Sequence, residues 1–226
     1  MSGSLLKSSK PEDVSASPFA HVVIDRPLAD AEYQQLAASF PPPERFMEDP
    51  SRAASNQAVR IGALAVINDD GFSAEWRDFF RYHSSQEFWD DIVRVCGDAI
   101  RAAHPDLERK AGKPLDQWVT KRRGEPGEAD VALDVQFVIN TAVSQESSVR
   151  PAHLDNQDKI FAALFYMKSE DDPTPGGDLA LYEFKPGQVG FSNLYHDSKL
   201  KKMKLRVDSE EISVPAFQGN CKNKAG

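Results

Sequence analysis

Along residues 131–141 the chain alternates, with Leu133, Val135, Phe137 and Ile139 on one parity and Asp134, Gln136, Val138 and Asn140 on the other. A period of two marks a half-buried strand, so a strand is predicted over Val131–Thr141. Farther upstream the period changes. Phe88, Ile92, Val95, Cys96, Ala99, Ile100 and Ala103 recur at helical spacing and make one continuous apolar stripe, which is core packing. That helix is expected to start from an N-cap at Ser84 or Ser85 and to run to about His104, closed by Pro105. Ser73 likewise reads as the N-cap of a helix over Ala74–Tyr82. Ala29–Phe40 reads as another, with Tyr33, Leu36, Ala37 and Phe40 on one face and Pro41-Pro42-Pro43 ending it. Strands are predicted at Phe19–Ile24, Ala58–Ile67, Lys159–Met167 and Asp178–Phe184. Glu44–Gln57 is loop-like, Leu115–Gly127 is unassigned, and Glu125-Pro126-Gly127-Glu128 is a turn signal. Helices first and strands afterwards imply an α+β fold, a helical layer bracing a sheet.

Composition narrows the class. The 226 residues are 40% hydrophobic and 27% charged, as in a globular domain of that size. Residues 1–17 are rich in Ser, Lys, Glu and Pro and are expected to be a disordered tail, leaving 18–226 as a single domain. A net charge of −8 argues against nucleic acid or an anionic membrane as the main partner. No apolar run nears the ~18 residues of a membrane span, and no signal-peptide stretch opens the chain, so a cytoplasmic location is expected. The two cysteines, Cys96 and Cys221, fit a reduced compartment and not a structural disulfide.

The candidate chemistry lies just after the alternating strand, in Arg150-Pro-Ala-His153-Leu-Asp155. On an extended chain residues two apart project from one face, whereas on a helix they diverge by about 200°, so an extended His153-x-Asp155 can aim an imidazole and a carboxylate at one metal ion. Alone, a three-residue pattern is weak. Here it is followed in order by Lys159–Met167, which holds Phe161, Phe165 and Tyr166, then by Pro175-Gly176-Gly177 and the returning strand Asp178–Phe184.

That ordered set resembles the Fe(II)/2-oxoglutarate-dependent dioxygenases, most closely their prolyl-4-hydroxylase-like branch. The close likeness covers roughly residues 131–184, with a looser one from Phe19 onward. The resemblance implies a double-stranded β-helix, a jelly roll of the cupin kind, behind an N-terminal helical layer. It also implies His153 and Asp155 as two of three iron ligands in a 2-His-1-carboxylate triad, and Tyr166 as a contact for the 2-oxoglutarate carboxylate. The activity implied is decarboxylation of 2-oxoglutarate to succinate coupled to hydroxylation of a C–H bond by O₂. The substrate would be a small molecule or a protein side chain.

The family takes a second His from a later strand and a basic residue beyond it, and here the pattern departs. Only His196 follows Asp155, in the polar stretch Asn193-Leu-Tyr-His-Asp-Ser198, and Cys221–Gly226 stands where an apolar strand is expected. The last strands of the jelly roll are therefore expected to be missing, and His196 is expected in an exposed loop away from the metal pair. The alternative is a non-catalytic or truncated jelly-roll module with a binding role or none. Gln136, Asn140 and Arg150 are candidates for lining the pocket. His21 lies in the first predicted strand. His83 and His104 sit at helix ends, where the dipole mildly favours an imidazolium. Lys199–Arg206 alternates basic and apolar residues and reads as a strand with one solvated face. Lys121-Arg122-Arg123 carries no assignment. No P-loop, dinucleotide fingerprint, nucleophile elbow or C-x-x-C motif occurs.

Overall fold

A computed structural model describes residues 3–143, 159–167, 179–184 and 209–212. They carry helix and strand together, as the α+β reading requires. The chain divides into two compact units. The first comprises Met1–Val14 with Ile24–Val149, and the second Ser15–Val23 with Arg150–Gly226.

The first unit is built on helices α1 (Asp30–Ala38), α2 (Ala63–Ile67), α3 (Ala74–His83), α4 (Gln86–Ala103) and α5 (Leu107–Ala111). Their ends follow local chemistry. The Ser73 hydroxyl accepts the Trp76 amide at the start of α3, and the Ser85 hydroxyl accepts the Phe88 amide at the start of α4. Each satisfies a donor that the first helical turn leaves unpaired. Trp76, Phe79, Phe80 and His83 are the buried residues of α3, at spacings of three, four and seven. On α4 the buried set includes Phe88, Ile92, Val95 and Ile100 of the expected stripe, while Ala103 is exposed. Trp89 joins that core for a reason the stripe does not carry. Its ring stacks on Trp118 at 5.8 Å and its indole N–H donates to the Leu115 carbonyl at 3.1 Å.

Strand β1 (Ala58–Gly62) pairs antiparallel with β4 (Gln136–Asn140), setting Ile61 opposite Phe137 and Arg60 opposite Val138. The expected alternation holds: Leu133 and Phe137 are buried, Val138 and Asn140 exposed. Phe137 centres an aromatic cluster, with the rings of Phe40, Phe46, Phe72, Trp76 and Phe80 at 4.5–6.1 Å. Asp134 and Val135 break the expected single strand, leaving β3 (Val131–Leu133) to pair in parallel with β2 (Thr120–Arg122). The connection between β2 and β3 turns at Gly124 and Gly127, both with positive φ, which glycine adopts without steric cost. Arg122, unassigned from sequence, ties β2 to the end of α3. Its guanidinium donates to Ser84 Oγ at 2.9 Å and to the Arg81 carbonyl at 3.3 Å, placing a cation where a helix exposes unpaired carbonyls.

Three expectations are corrected. The strand predicted over Ala58–Ile67 ends at Gly62 and continues as α2. An unbroken apolar run such as Ala63-Leu-Ala-Val-Ile does not distinguish the two periods, and burial of Ala63 and Val66, three apart, decides for helix. Phe19–Ile24 is not a strand: among the described residues only the bridge Ser15–His21 forms there, and Phe19 and Val23 are exposed. Residues 3–14, expected to be disordered, are ordered against the helices, with Ser4, Leu6 and Ser9 buried.

In the second unit β5 (Leu181–Phe184) pairs antiparallel with β6 (Ser209–Ile212), Leu181 opposite Ile212. All three ladders among the described residues are two-stranded. No described helix is long and apolar enough to cross a membrane.

Candidate functional site

The predicted metal pair, His153 and Asp155, lies outside the described residues, as do Arg150, His196, the Pro175-Gly176-Gly177 turn and the basic run Lys199–Arg206. What is described around them is the segment 159–167 and the strand after the turn. That strand is present as β5, within the predicted Asp178–Phe184.

Lys159–Met167 departs from its expected strand. None of its residues belongs to a described strand, and Leu164 is 63% exposed. Two Phe and a Tyr favour a pleated, half-buried setting, but strand propensity is realised only against a neighbour, and no described strand pairs with these residues. Tyr166 is 36% exposed.

Of the proposed lining residues in the first unit, Gln136 donates from its amide to Asp134 Oδ2 at 2.9 Å, and Asn140 is exposed at the end of β4. The Asp134 carboxylate also accepts from Arg123 at 2.6 Å, so Gln136, Asp134 and Arg123 are paired with one another. Among the described residues no three His, Cys, Asp or Glu side chains converge as metal ligands.

The rings of His21 and His83 have structural partners, and the main chain of His104 closes α4. His21 Nδ1 lies 2.8 Å from the Phe19 carbonyl, and the His104 amide donates to Ile100 O at 2.8 Å. His83 departs from the dipole-favoured cation expected at a helix end. It is 3% exposed, stacks on Phe79 at 4.0 Å, and burial pulls its pKa from 6.5 down to about 4. The Leu5 amide donates to its Nε2 at 3.3 Å, which places the ring proton on Nδ1, 2.8 Å from the Phe79 carbonyl. The imidazole is neutral, and both nitrogens are satisfied.

A polar cluster that no sequence motif announces sits beside it. Tyr82 donates to Asp91 Oδ2 at 2.9 Å, Arg94 pairs with Asp91 Oδ1 at 2.9 Å, and the Ser4 hydroxyl lies within hydrogen-bonding reach of both Tyr82 and Asp91. Burial and the neighbouring carboxylate push the Tyr82 phenol above its usual range. Burial would raise Asp91 too, but hydrogen bonds from Ser4, Arg94 and Tyr82 outweigh it and hold the carboxyl below its usual range. The only signal in sequence is the nine-residue spacing of Tyr82 and Asp91 across two caps, which carries no pattern. No family model matches the chain, and no curated protein or solved structure matches it.

Proposed function

We propose that the chain is an Fe(II)- and 2-oxoglutarate-dependent dioxygenase-like protein in which His153 and Asp155 hold the metal and Tyr166 contacts the co-substrate. The observation that carries this reading is an ordered set: His153-x-Asp155, the aromatic segment ending at Tyr166, and Gly176-Gly177 leading into β5. A jelly-roll arrangement of the second unit belongs to the same proposal, and the antiparallel pairing of β5 with β6 is the sheet geometry it calls for.

The donor set fits iron in kind. A neutral imidazole nitrogen and a carboxylate oxygen are the donor types of a facial triad, which leaves coordination positions open. His153 contributes a lone pair only when deprotonated, and Asp155 contributes a negative charge that offsets the dication. Tyr166 offers a phenolic donor of the kind that bonds a carboxylate. Bound iron and 2-oxoglutarate would supply the oxidising power for hydroxylation, with succinate and CO₂ as co-products. The chain's own residues would hold, orient and partly shield them.

A second reading, a non-catalytic or truncated jelly-roll module with a binding role or none, is favoured by one observation: His196 stands in the polar stretch Asn193–Ser198 and not after an apolar strand. Succinate release separates the two. With Fe(II), 2-oxoglutarate and O₂, the dioxygenase reading expects succinate from the wild-type chain and at least a ~100-fold loss in His153→Ala or Asp155→Ala, since ligands acting as a unit fail together. Wild-type output no greater than that of the variants would leave the non-catalytic module.

A further inference from the structure

The N-terminal residues do not sit on the helices as a core element does. Residues 4–9 fold into two successive turns, Lys7 N–H to Ser4 O and Ser9 N–H to Leu6 O, both at 3.1 Å. Their main chain is then gripped from outside. The Gly3 amide donates to Glu32 Oε1 of α1 at 2.7 Å, and the Leu5 amide donates to His83 Nε2 at the end of α3. On α4, Arg94 donates to the Ser9 carbonyl at 2.7 Å and to the Leu6 carbonyl at 2.9 Å, while Asp91 holds its guanidinium in place. Two side chains add selectivity: Leu6 is 9% exposed, and the small Ser4 fits against Tyr82 and Asp91. Recognition of main-chain donors and acceptors by fixed side chains, with one apolar anchor and one small residue, is how a protein binds a peptide ligand.

We propose that the face formed by Glu32, Tyr82, His83, Asp91 and Arg94 is a peptide-binding site, and that residues 3–10 occupy it in cis as a detachable strap. One buried leucine and a few hydrogen bonds oppose the entropy of ordering the whole segment, whereas α4 is anchored by Phe88, Trp89, Ile92, Val95 and Ile100. The strap therefore opens below the free energy of global unfolding. Opening exposes a charged clamp, Arg94 with Asp91, that takes a peptide carrying a small residue and a leucine two positions on.

Amide hydrogen exchange on the full chain decides whether the strap is separable. The fragment spanning residues 3–10 is expected to exchange at least ~100-fold faster than α4, yet ~10-fold or more slowly than the same peptide free in solution. Arg94→Gln is expected to speed it about tenfold, the worth of hydrogen bonds from a charged donor, with α4 unchanged. Ser4→Asp, which sets a second carboxylate against Asp91, is expected to do the same. Exchange of the strap at the rate of α4, or at the free-peptide rate, overturns the proposal, as does acceleration of strap and helix together. The second arm uses a labelled peptide of residues 3–10. It is expected to bind a chain lacking residues 1–10 saturably, to bind it at least ~10-fold more weakly with Arg94→Gln, and to ignore the full chain. A shortened chain with native circular dichroism that takes up no peptide contradicts the proposal. Should that chain not fold, exchange on the full chain decides alone.

Discussion

Phe137→Ala is expected to destabilise the first unit by about 3–5 kcal/mol, the cost of deleting a buried aromatic ring whose surroundings relax only in part. The ring is 4% exposed and is met by five other rings, the nearest being Trp76 at 4.5 Å and Phe80 at 4.6 Å. It joins α3 to the β1–β4 ladder, so the loss falls on both. Against the ~5–15 kcal/mol that holds a typical domain, this is a large share. Val138→Ala, one residue along and on the exposed face, is expected to cost under about 1 kcal/mol. Urea titrations of the two variants check the pair: comparable losses would mean that the alternation along β4 does not set its inner face.

Acid is expected to weaken the fold through His83. Burial lowers its pKa from 6.5 to about 4, so the folded chain holds the imidazole neutral where the unfolded chain would take up a proton. The stabilisation is whole above pH 6.5 and is lost progressively as pH falls toward 4. It amounts to about 3 kcal/mol, at 1.36 kcal/mol per pKa unit. Protonation would also turn Nε2 from an acceptor into a donor facing the Leu5 amide. Glu32 and Asp91 lie close enough to favour the cation, but desolvation outweighs them. His83→Gln keeps one acceptor and one donor and removes the titration. Unfolding free energies at pH 7, 5 and 4 should fall more steeply for the wild type than for His83→Gln, by about 3 kcal/mol over the range. Parallel curves would mean that another group carries the acid response.

These two residues also mark where the sequence is legible. Phe137 is readable because alternation is local: each residue of β4 reports its own face. The starts of α3 and α4 are readable for a similar reason, since a serine three residues before an amide is enough to make a cap. His83 reads from sequence as a helix-end cation. Its burial depends on Phe79, Phe88 and the strap, and the strap is 78 positions away from it in sequence. The order of the strap itself escapes a reading by composition, which measures what a segment can bury alone and not what Arg94 and His83 offer it. Trp89 and Trp118 likewise meet only in three dimensions. At the candidate site the proposed metal pair, His153 and Asp155, rests on its two-residue spacing in sequence and lies outside the described residues. A third ligand supplied by a distant segment would leave no local pattern to read.

Titration of the full chain with Fe(II) in the absence of oxygen, read by calorimetry, tests the central claim most directly. The proposal predicts saturable one-site binding that His153→Ala and Asp155→Ala each weaken at least ~10-fold, and that falls as pH drops through the histidine range, because the ligand imidazole must be deprotonated. His196→Ala, by the same account, leaves the affinity unchanged. Iron binding that survives both His153→Ala and Asp155→Ala, or no saturable binding by the wild-type chain, would contradict it.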